Sequence, residues 1–198
     1  MKFNAQIPLP ASMLSFLCNY RGRLVQQGIL KCLPNKGVAG DFKEVGVEML
    51  QQIKIENWLL EVDIDKTREF YNKGIEVCSC LYCNNFVVAC KYLDTSVANV
   101  FSRLGINPAK PGHLSDYPTN ECVIRSYIGI YHLVGRVLEG ELCTMSTWND
   151  TNTVRLKNFT IGFSYDLEFV PECFPNPVVQ LDFGADISWV LDEKPDEC

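Results

Sequence analysis

The sequence predicts an α+β fold: a single domain over residues 1–198, with a largely antiparallel sheet and a few short helices in the middle of the chain. Two observations predict this class. Apolar and polar residues alternate on both sides of the centre, as in strands with one buried face, while the centre carries helical spacing and caps. With 198 residues, of which 47% are hydrophobic, the chain can bury about 70% of its unfolded surface without covalent staples.

The first part of the chain is predicted to contain three strands and a helix. Residues 3–9 alternate at period two, and Ser12 can cap the helix that follows. Glycine and proline around residues 33–40 indicate a loop. Alternation returns over residues 45–64, which we interpret as a pair of strands.

Helical signals cluster in the middle of the chain. Asp65 is placed to cap a helix over residues 66–72, and Gly74 can end it in the left-handed conformation. The apolar segment 84–90 is a further helix candidate. The strongest pattern covers residues 96–104 and is bounded by Asp94 or Thr95 as the cap, Gly105 as the stop and Pro108 as a barrier to resumption.

Beyond residue 120 the pattern changes to strands, which form an acidic, β-rich part over residues 121–198. The predicted strands cover residues 122–138, 156–165, 178–183 and 187–192. Strands on both sides of a helical centre favour α+β over an alternating α/β arrangement.

The N-terminus and the cysteine content predict a cytoplasmic protein with reduced thiols. Polar residues and prolines interrupt the apolar run that a signal peptide needs, and no segment approaches the length of a membrane span. Ten cysteines in 198 residues are below the density of disulfide scaffolds. Four of them lie in or near apolar stretches and are interpreted as buried thiols: Cys18, Cys32, Cys122 and Cys143.

A cysteine cluster, C-S-C-L-Y-C, is the strongest chemical signal. Cys80 and Cys83 have the spacing with which a tight turn places two thiolates on one metal ion, and Cys78 can approach the same side. The pattern predicts a structural zinc site. The fourth ligand is preferably Cys90, with His132 as the main alternative, and the other candidates are Cys122 and His113.

Three other interpretations of the cluster remain open. The thiols can be unliganded, or they can form a redox pair in which Cys80 attacks. Alternatively, Cys80 or Cys83 acts as a nucleophile with His113 or His132 as the base. His132 lies in an apolar strand, which also favours a hydrogen-bonded histidine of the core.

Common catalytic motifs are absent from the sequence, so an enzyme has no support from motifs. The chain contains no GxxxxGK[ST], GxGxxG, GxSxG or HExxH motif and no EF-hand loop. With two histidines, acid and base catalysis would depend on carboxylates, and no pair of them is singled out by its spacing. No catalytic residue is predicted.

Negative charge concentrates at the C-terminal end. The segment from Asp166 to Cys198 contains nine acidic residues and one basic residue, Lys194, so its net charge is −8. The whole chain has a net charge of −6. This distribution predicts a surface that binds a basic protein partner, with six candidate residues: Asp182, Asp186, Asp192, Glu193, Asp196 and Glu197. Direct nucleic-acid binding is disfavoured because the chain is acidic and lacks a run of Lys or Arg.

Five segments carry a resemblance to known sequences: VDIDKTREFYNKG, CSCLYCNNF, LGINPAKP, YHLVG and FPNPVVQLDFGADISWVLDE. They resemble a family of uncharacterised bacterial proteins of the Firmicutes type, over about residues 58–193. The resemblance implies a bacterial, cytosolic protein and no particular activity. It includes Cys78, Cys80, Cys83 and His132.

The function predicted from these observations is a non-catalytic protein-binding module that acts through its acidic surface. An inhibitor or immunity-type partner, for example of a nucleic-acid-processing defence system, is one form of it. The alternative is a thiol-dependent or redox enzyme that uses the pair Cys80 and Cys83.

Overall fold

The computed structural model describes residues 50–73, 75–144 and 147–195. Several predictions lie outside these residues: the strand at 3–9, the helix after Ser12, the loop at 33–40, the first part of the alternation from residue 45, and the stop at Gly74.

Within the described residues, seven strands form one antiparallel sheet, in the order β1-β2-β4-β7-β6-β5, with β3 also paired to β4. The strands are β1 (Gln51–Ile55), β2 (Trp58–Val62), β3 (His113–Pro118), β4 (Ile124–Glu139), β5 (Val154–Leu156), β6 (Phe159–Ser164) and β7 (Val178–Ser188). The helices are α1 (Ile64–Lys73), α2 (Leu81–Ala89) and α3 (Thr95–Leu104), with a 3-10 turn at Cys90–Tyr92. The predicted fold class, with its helices in the middle of the chain, is confirmed.

The helix boundaries follow local capping, with one correction. Asp94 Oδ1 accepts the Ser96 N–H at the start of α3, and Gly105 ends that helix with φ of 74°, as predicted. In α1 the cap is Asp63, whose Oδ1 accepts the Lys66 N–H at 2.9 Å. The prediction of Asp65 as the cap is wrong, because the helix begins at Ile64.

The strand pattern after residue 120 is confirmed in part. The segments predicted as strands 178–183 and 187–192 are one strand, β7, which ends at Ser188. Neither β3 nor β5 is predicted from the sequence. β3 pairs with β4 from His113 opposite Ile130 to Pro118 opposite Arg125, which places the proline at the strand's end.

Strand β4 is the longest element and is bordered by different partners along its two edges. One edge pairs with β7 over residues 124–134, and the other pairs with β3 near its start and β2 near its end. Between β3 and β2, side chains of α1 take the place of a strand. Tyr71 Oη accepts the His132 N–H and donates to the His132 carbonyl, both at 3.0 Å, and Thr67 Oγ1 accepts the Val134 N–H.

One face of the sheet carries the apolar core and the helices. Phe183 on β7 stacks with Tyr131 on β4 at 5.0 Å between ring centroids. Phe86 from α2 also stacks on the Phe183 ring, with 5.6 Å between centroids. Phe101 from α3 packs edge-on against Tyr131. Burial of these rings fixes the position of α2 on the sheet.

The other face holds a buried polar network (Cys143, Asp182, Gln180, His132 and the backbone of Glu168). Gln180 Nε2 donates to Asp182 Oδ1, and Cys143 Sγ lies 3.7 Å from Asp182 Oδ2. Gln180 Oε1 accepts the Glu168 N–H, and His132 Nε2 lies 2.9 Å from the Glu168 carbonyl. The network satisfies polar groups that the segment after β6 removes from water.

Candidate metal centre

The three predicted cysteines meet at the start of α2. Cys80 is the N-cap, in extended conformation, and its Sγ accepts the Cys83 N–H at 3.5 Å. The Cys78 Sγ accepts the Cys80 N–H, also at 3.5 Å. The spacing C-x-C-x-x-C therefore brings three sulfur atoms together, because Cys80, in extended conformation, leads into the first helical turn that carries Cys83.

The separations suit a single metal ion. All three Sγ atoms lie within 4.8 Å of one another. A tetrahedral zinc centre has sulfurs about 3.8 Å apart, which follows from a Zn–S distance of about 2.3 Å. A shift of about 1 Å or less per pair would bring the cysteine triad (Cys78, Cys80 and Cys83) to that geometry.

The three cysteines of the triad differ in how deeply they are buried. Cys80 is exposed, Cys78 is partly buried and Cys83 is buried. Hydrogen bonding from the Cys80 backbone N–H lowers the pKa of the Cys78 thiol. Burial, followed by interaction with the sulfurs of Cys80 and Cys78, raises the pKa of Cys83. A nearby cation would offset both effects on Cys83, because it stabilises thiolates directly.

The first turn of α2 is held by contacts from the sheet. Tyr127 Oη donates to the Tyr82 carbonyl at 2.9 Å, and the Arg125 guanidinium lies 4.3 Å from the centre of the Tyr82 ring. Arg125 is itself buried and pairs with Asp116. The residues between the ligands are thus fixed before any ion binds, which reduces the entropic cost of binding.

Cys90, the preferred fourth ligand, is not brought to the triad. α2 begins at Leu81, so Cys83 already lies in the helix and Cys90 follows about 10 Å further along its axis. Its Sγ donates to the Pro108 carbonyl at 3.3 Å, and burial raises its pKa to about 12. Cys90 lines a cleft of about 340 Å³ between α1 and α3, where Phe101 and Ile106 also lie.

The other candidate ligands also lie elsewhere. His132 belongs to the sheet face opposite α2, and burial lowers its pKa to about 4. The prediction of a buried, hydrogen-bonded histidine is confirmed at this position. The His113 ring stacks on Phe169 at 4.3 Å between centroids. Cys122 is disulfide-bonded and has no thiolate to offer.

The same placement bears on the catalytic interpretations. Among the described residues, the group of potential ligands around the triad contains no histidine. For the redox interpretation, the structure adds a second candidate thiol beside Cys80, because hydrogen bonding from the Cys80 N–H lowers the pKa of Cys78.

The cysteine prediction needs correction at two positions. Cys122 and Cys173 are disulfide-bonded, so the expectation of fully reduced thiols is wrong for them. Cys143 is a buried free thiol, as predicted. Disulfides persist in oxidising compartments, and these two residues therefore weaken the expectation of a cytoplasmic location.

The acidic candidates separate into buried and exposed groups. Asp182 is only 6% exposed and belongs to the polar network, so its assignment to a partner-binding surface is wrong. Asp186, Asp192 and Glu193 are exposed. Asp196 and Glu197 lie outside the described residues.

The exposed acidic residues adjoin α2. Asn85 Oδ1 accepts the Val190 N–H at 2.8 Å, and its Nδ2 lies 3.5 Å from the Ser188 carbonyl. The rings of Tyr82 and Trp189 are in edge contact at 5.8 Å, and Trp189 Nε1 donates to the Glu193 carbonyl. The helix that carries Cys83 thus also anchors the acidic segment (residues 186–193).

Comparison with known proteins yields no relative. No protein-family model, no curated protein and no solved structure matches this chain. The bacterial resemblance therefore stays a hypothesis, and function is argued from the residues themselves. Among the described helices, none combines the length and apolar character needed to cross a membrane.

Proposed function

We propose that this protein binds one thiophilic metal ion, zinc foremost, through Cys78, Cys80 and Cys83. The observation that carries the proposal is the mutual separation of the three sulfurs, all within 4.8 Å at the start of a well-packed helix. Thiolates are the ligands that zinc takes in structural sites, and three of them already exceed the pair that a single C-x-x-C turn supplies.

The electrostatics of the triad support metal binding. In the absence of a cation, the buried Cys83 thiol resists ionisation because of desolvation and its sulfur neighbours. A divalent ion compensates for both costs, and the three thiols release their protons as it binds. Binding free energy then adds to the free energy of folding, because the unfolded chain does not hold the three sulfurs together.

The test is metal content and thermal stability in the purified full chain, handled without oxygen so that the triad thiols stay free while the disulfides at Cys122 and Cys173 stay intact. We expect one zinc per chain by elemental analysis. Free zinc a thousandfold above Kd contributes about 4 kcal/mol of stability, so a chelator should lower Tm by on the order of 10 °C. A metal-free protein whose melting curve does not respond to zinc or chelator would contradict the proposal.

Two matched cysteine variants separate ligation from general thiol loss. Cys80→Ser removes an exposed ligand with little cost to packing, and it should abolish the response to zinc. Cys90→Ser preserves a hydroxyl that can donate to the Pro108 carbonyl, and it should bind zinc like the wild type. Loss of binding in both variants would mean that Cys90 belongs to the site.

A second candidate function is binding of a basic protein partner by the acidic segment. The specific observation in favour is the exposure of Asp186, Asp192 and Glu193 on a segment anchored to α2. In this role the protein is a non-catalytic module, such as an inhibitor. Because exposed charges are screened by salt, the affinity for such a partner should be strongly salt-dependent.

The measurement for the second candidate uses a defined cationic peptide. Binding at low ionic strength should weaken by about tenfold or more in high salt. The double variant Asp192→Asn and Glu193→Gln should weaken it at low salt, whereas Glu76→Gln, an exposed change outside the segment, should not. Equal losses in the two variants would point to non-specific attraction and sink this candidate.

A further inference from the structure

We infer that the metal centre is open: among the described residues, Cys78, Cys80 and Cys83 supply three thiolates, and an exogenous small-molecule thiolate takes the fourth coordination position. This inference rests on the proposed metal binding at Cys78, Cys80 and Cys83. It differs from the sequence-based expectation of a closed, structural site with four protein ligands. The arguments concern ligand geometry, the location of the remaining candidates and the exposure of the site.

The geometry leaves one coordination position free. All three sulfurs come from six consecutive residues, and backbone N–H groups of Cys80 and Cys83 bind the sulfurs of Cys78 and Cys80. Three sulfur ligands leave one position of a tetrahedral ion for a further ligand, and Cys80, one of the three, is exposed.

No further ligand from the described residues belongs to this group. Cys90 is bound to the Pro108 carbonyl beyond the other end of α2, and His132 faces the opposite side of the sheet. The buried Cys143 thiol contacts the Asp182 carboxylate on that same opposite side. These positions are fixed by packed elements, so none of the three can move to the triad without unfolding part of the core.

A thiol suits the open position better than other ligands. The ions that thiolates bind prefer soft ligands, and the exposure of Cys80 gives a small molecule access to the triad. In the binding step a metal–water bond breaks and a metal–sulfur bond forms, while the thiol proton passes to solvent. No electron is transferred, so the step needs no oxidant or reductant.

An open position also changes how the ion leaves. A closed four-ligand site releases zinc only after one of its own bonds breaks, whereas an open site can first accept a competing ligand. The ion should therefore pass quickly to a competing chelator. The centre then serves exchange of the ion rather than permanent stabilisation of the fold.

Cobalt(II) is the probe, because its thiolate complexes absorb strongly and report the ligand set. The full chain is handled under nitrogen without a phosphine, so that the disulfides at Cys122 and Cys173 stay intact, then loaded with one equivalent of cobalt and titrated with 2-mercaptoethanol, with mass spectrometry to confirm that the disulfides survive. We expect a saturable increase in the sulfur-to-cobalt absorption of about one third, as three thiolates become four. Cys90→Ser should behave like the wild type, whereas Cys80→Ser should show no sulfur-to-cobalt absorption, in keeping with its expected loss of the zinc response.

Each other outcome overturns the inference in a recognisable way. Full four-thiolate absorption before titration, with no response to added thiol, would place the fourth ligand in the chain. Serine variants of Cys18, Cys32 and Cys198 would then identify it. Four-thiolate absorption that coincides with a dimer in gel filtration would assign it to a second copy. Failure to bind cobalt or zinc at all would reject the proposed function itself.

Discussion

Tyr71→Phe is expected to lower the free energy of unfolding by about 2 to 5 kcal/mol, because it leaves two buried backbone groups without a partner. The Tyr71 hydroxyl accepts the His132 N–H and donates to the His132 carbonyl, at a point on the edge of β4 that none of the described strands borders. Burial raises the pKa of Tyr71, so the hydroxyl stays protonated. Chemical denaturation at neutral pH measures the effect.

The chain provides a matched control for this variant. Tyr165 makes the same pair of contacts with the backbone of Val137, further along β4, but it is 48% exposed. Water can replace its hydroxyl, so Tyr165→Phe should change stability by less than about 0.5 kcal/mol. An equal decrease in the free energy of unfolding in the two variants would show that the decrease does not depend on burial of the hydroxyl.

The polar network should give the protein two opposing pH dependences. Burial raises the pKa of Asp182 to about 6, so its contribution to stability is complete below about pH 4 and is lost as pH rises through 6. Burial lowers the pKa of His132 to about 4, so its contribution is present above pH 6.5 and is lost as pH falls toward 4. Each effect amounts to about 3 kcal/mol.

Single variants should reveal each dependence. In the wild type the two effects largely cancel between pH 4 and 6. With Asp182→Asn, which retains the acceptor for Gln180, stability should rise with pH across this window. With His132→Gln, which retains a donor to the Glu168 carbonyl, it should fall. Denaturation series from pH 4 to 7 measure both slopes, and parallel slopes in the two variants would contradict the assignment.

The elements that can be predicted from the sequence are those whose structure is determined by residues close by in the chain. The caps Asp94 and Gly105 act within one turn of α3, and the alternation of β1 and β2 follows from a single buried face. The triad also comes from local spacing, since six residues supply all its sulfurs. Such features need no knowledge of distant contacts.

The errors arise where distant segments decide the environment. Asp182 looks like part of an acidic surface, but the segment after β6 and Cys143 cover that face of the sheet. Cys122 and Cys173 are disulfide-bonded, and the sequence around neither residue distinguishes a bonded cysteine from a buried free thiol. The distance from Cys83 to Cys90 could not be fixed until the start of α2 was known, because it depends on how many residues are helical.

The shared position of β4 has a consequence for cooperativity. This strand hydrogen-bonds to β2, β3 and β7, and α1 completes its remaining edge through Tyr71 and Thr67. Removal of any one neighbour leaves backbone groups of β4 without hydrogen-bond partners, and all the other neighbours pair with this same strand. We therefore expect the hairpin of β1 and β2, the helices and the C-terminal strands to unfold together, in one cooperative transition.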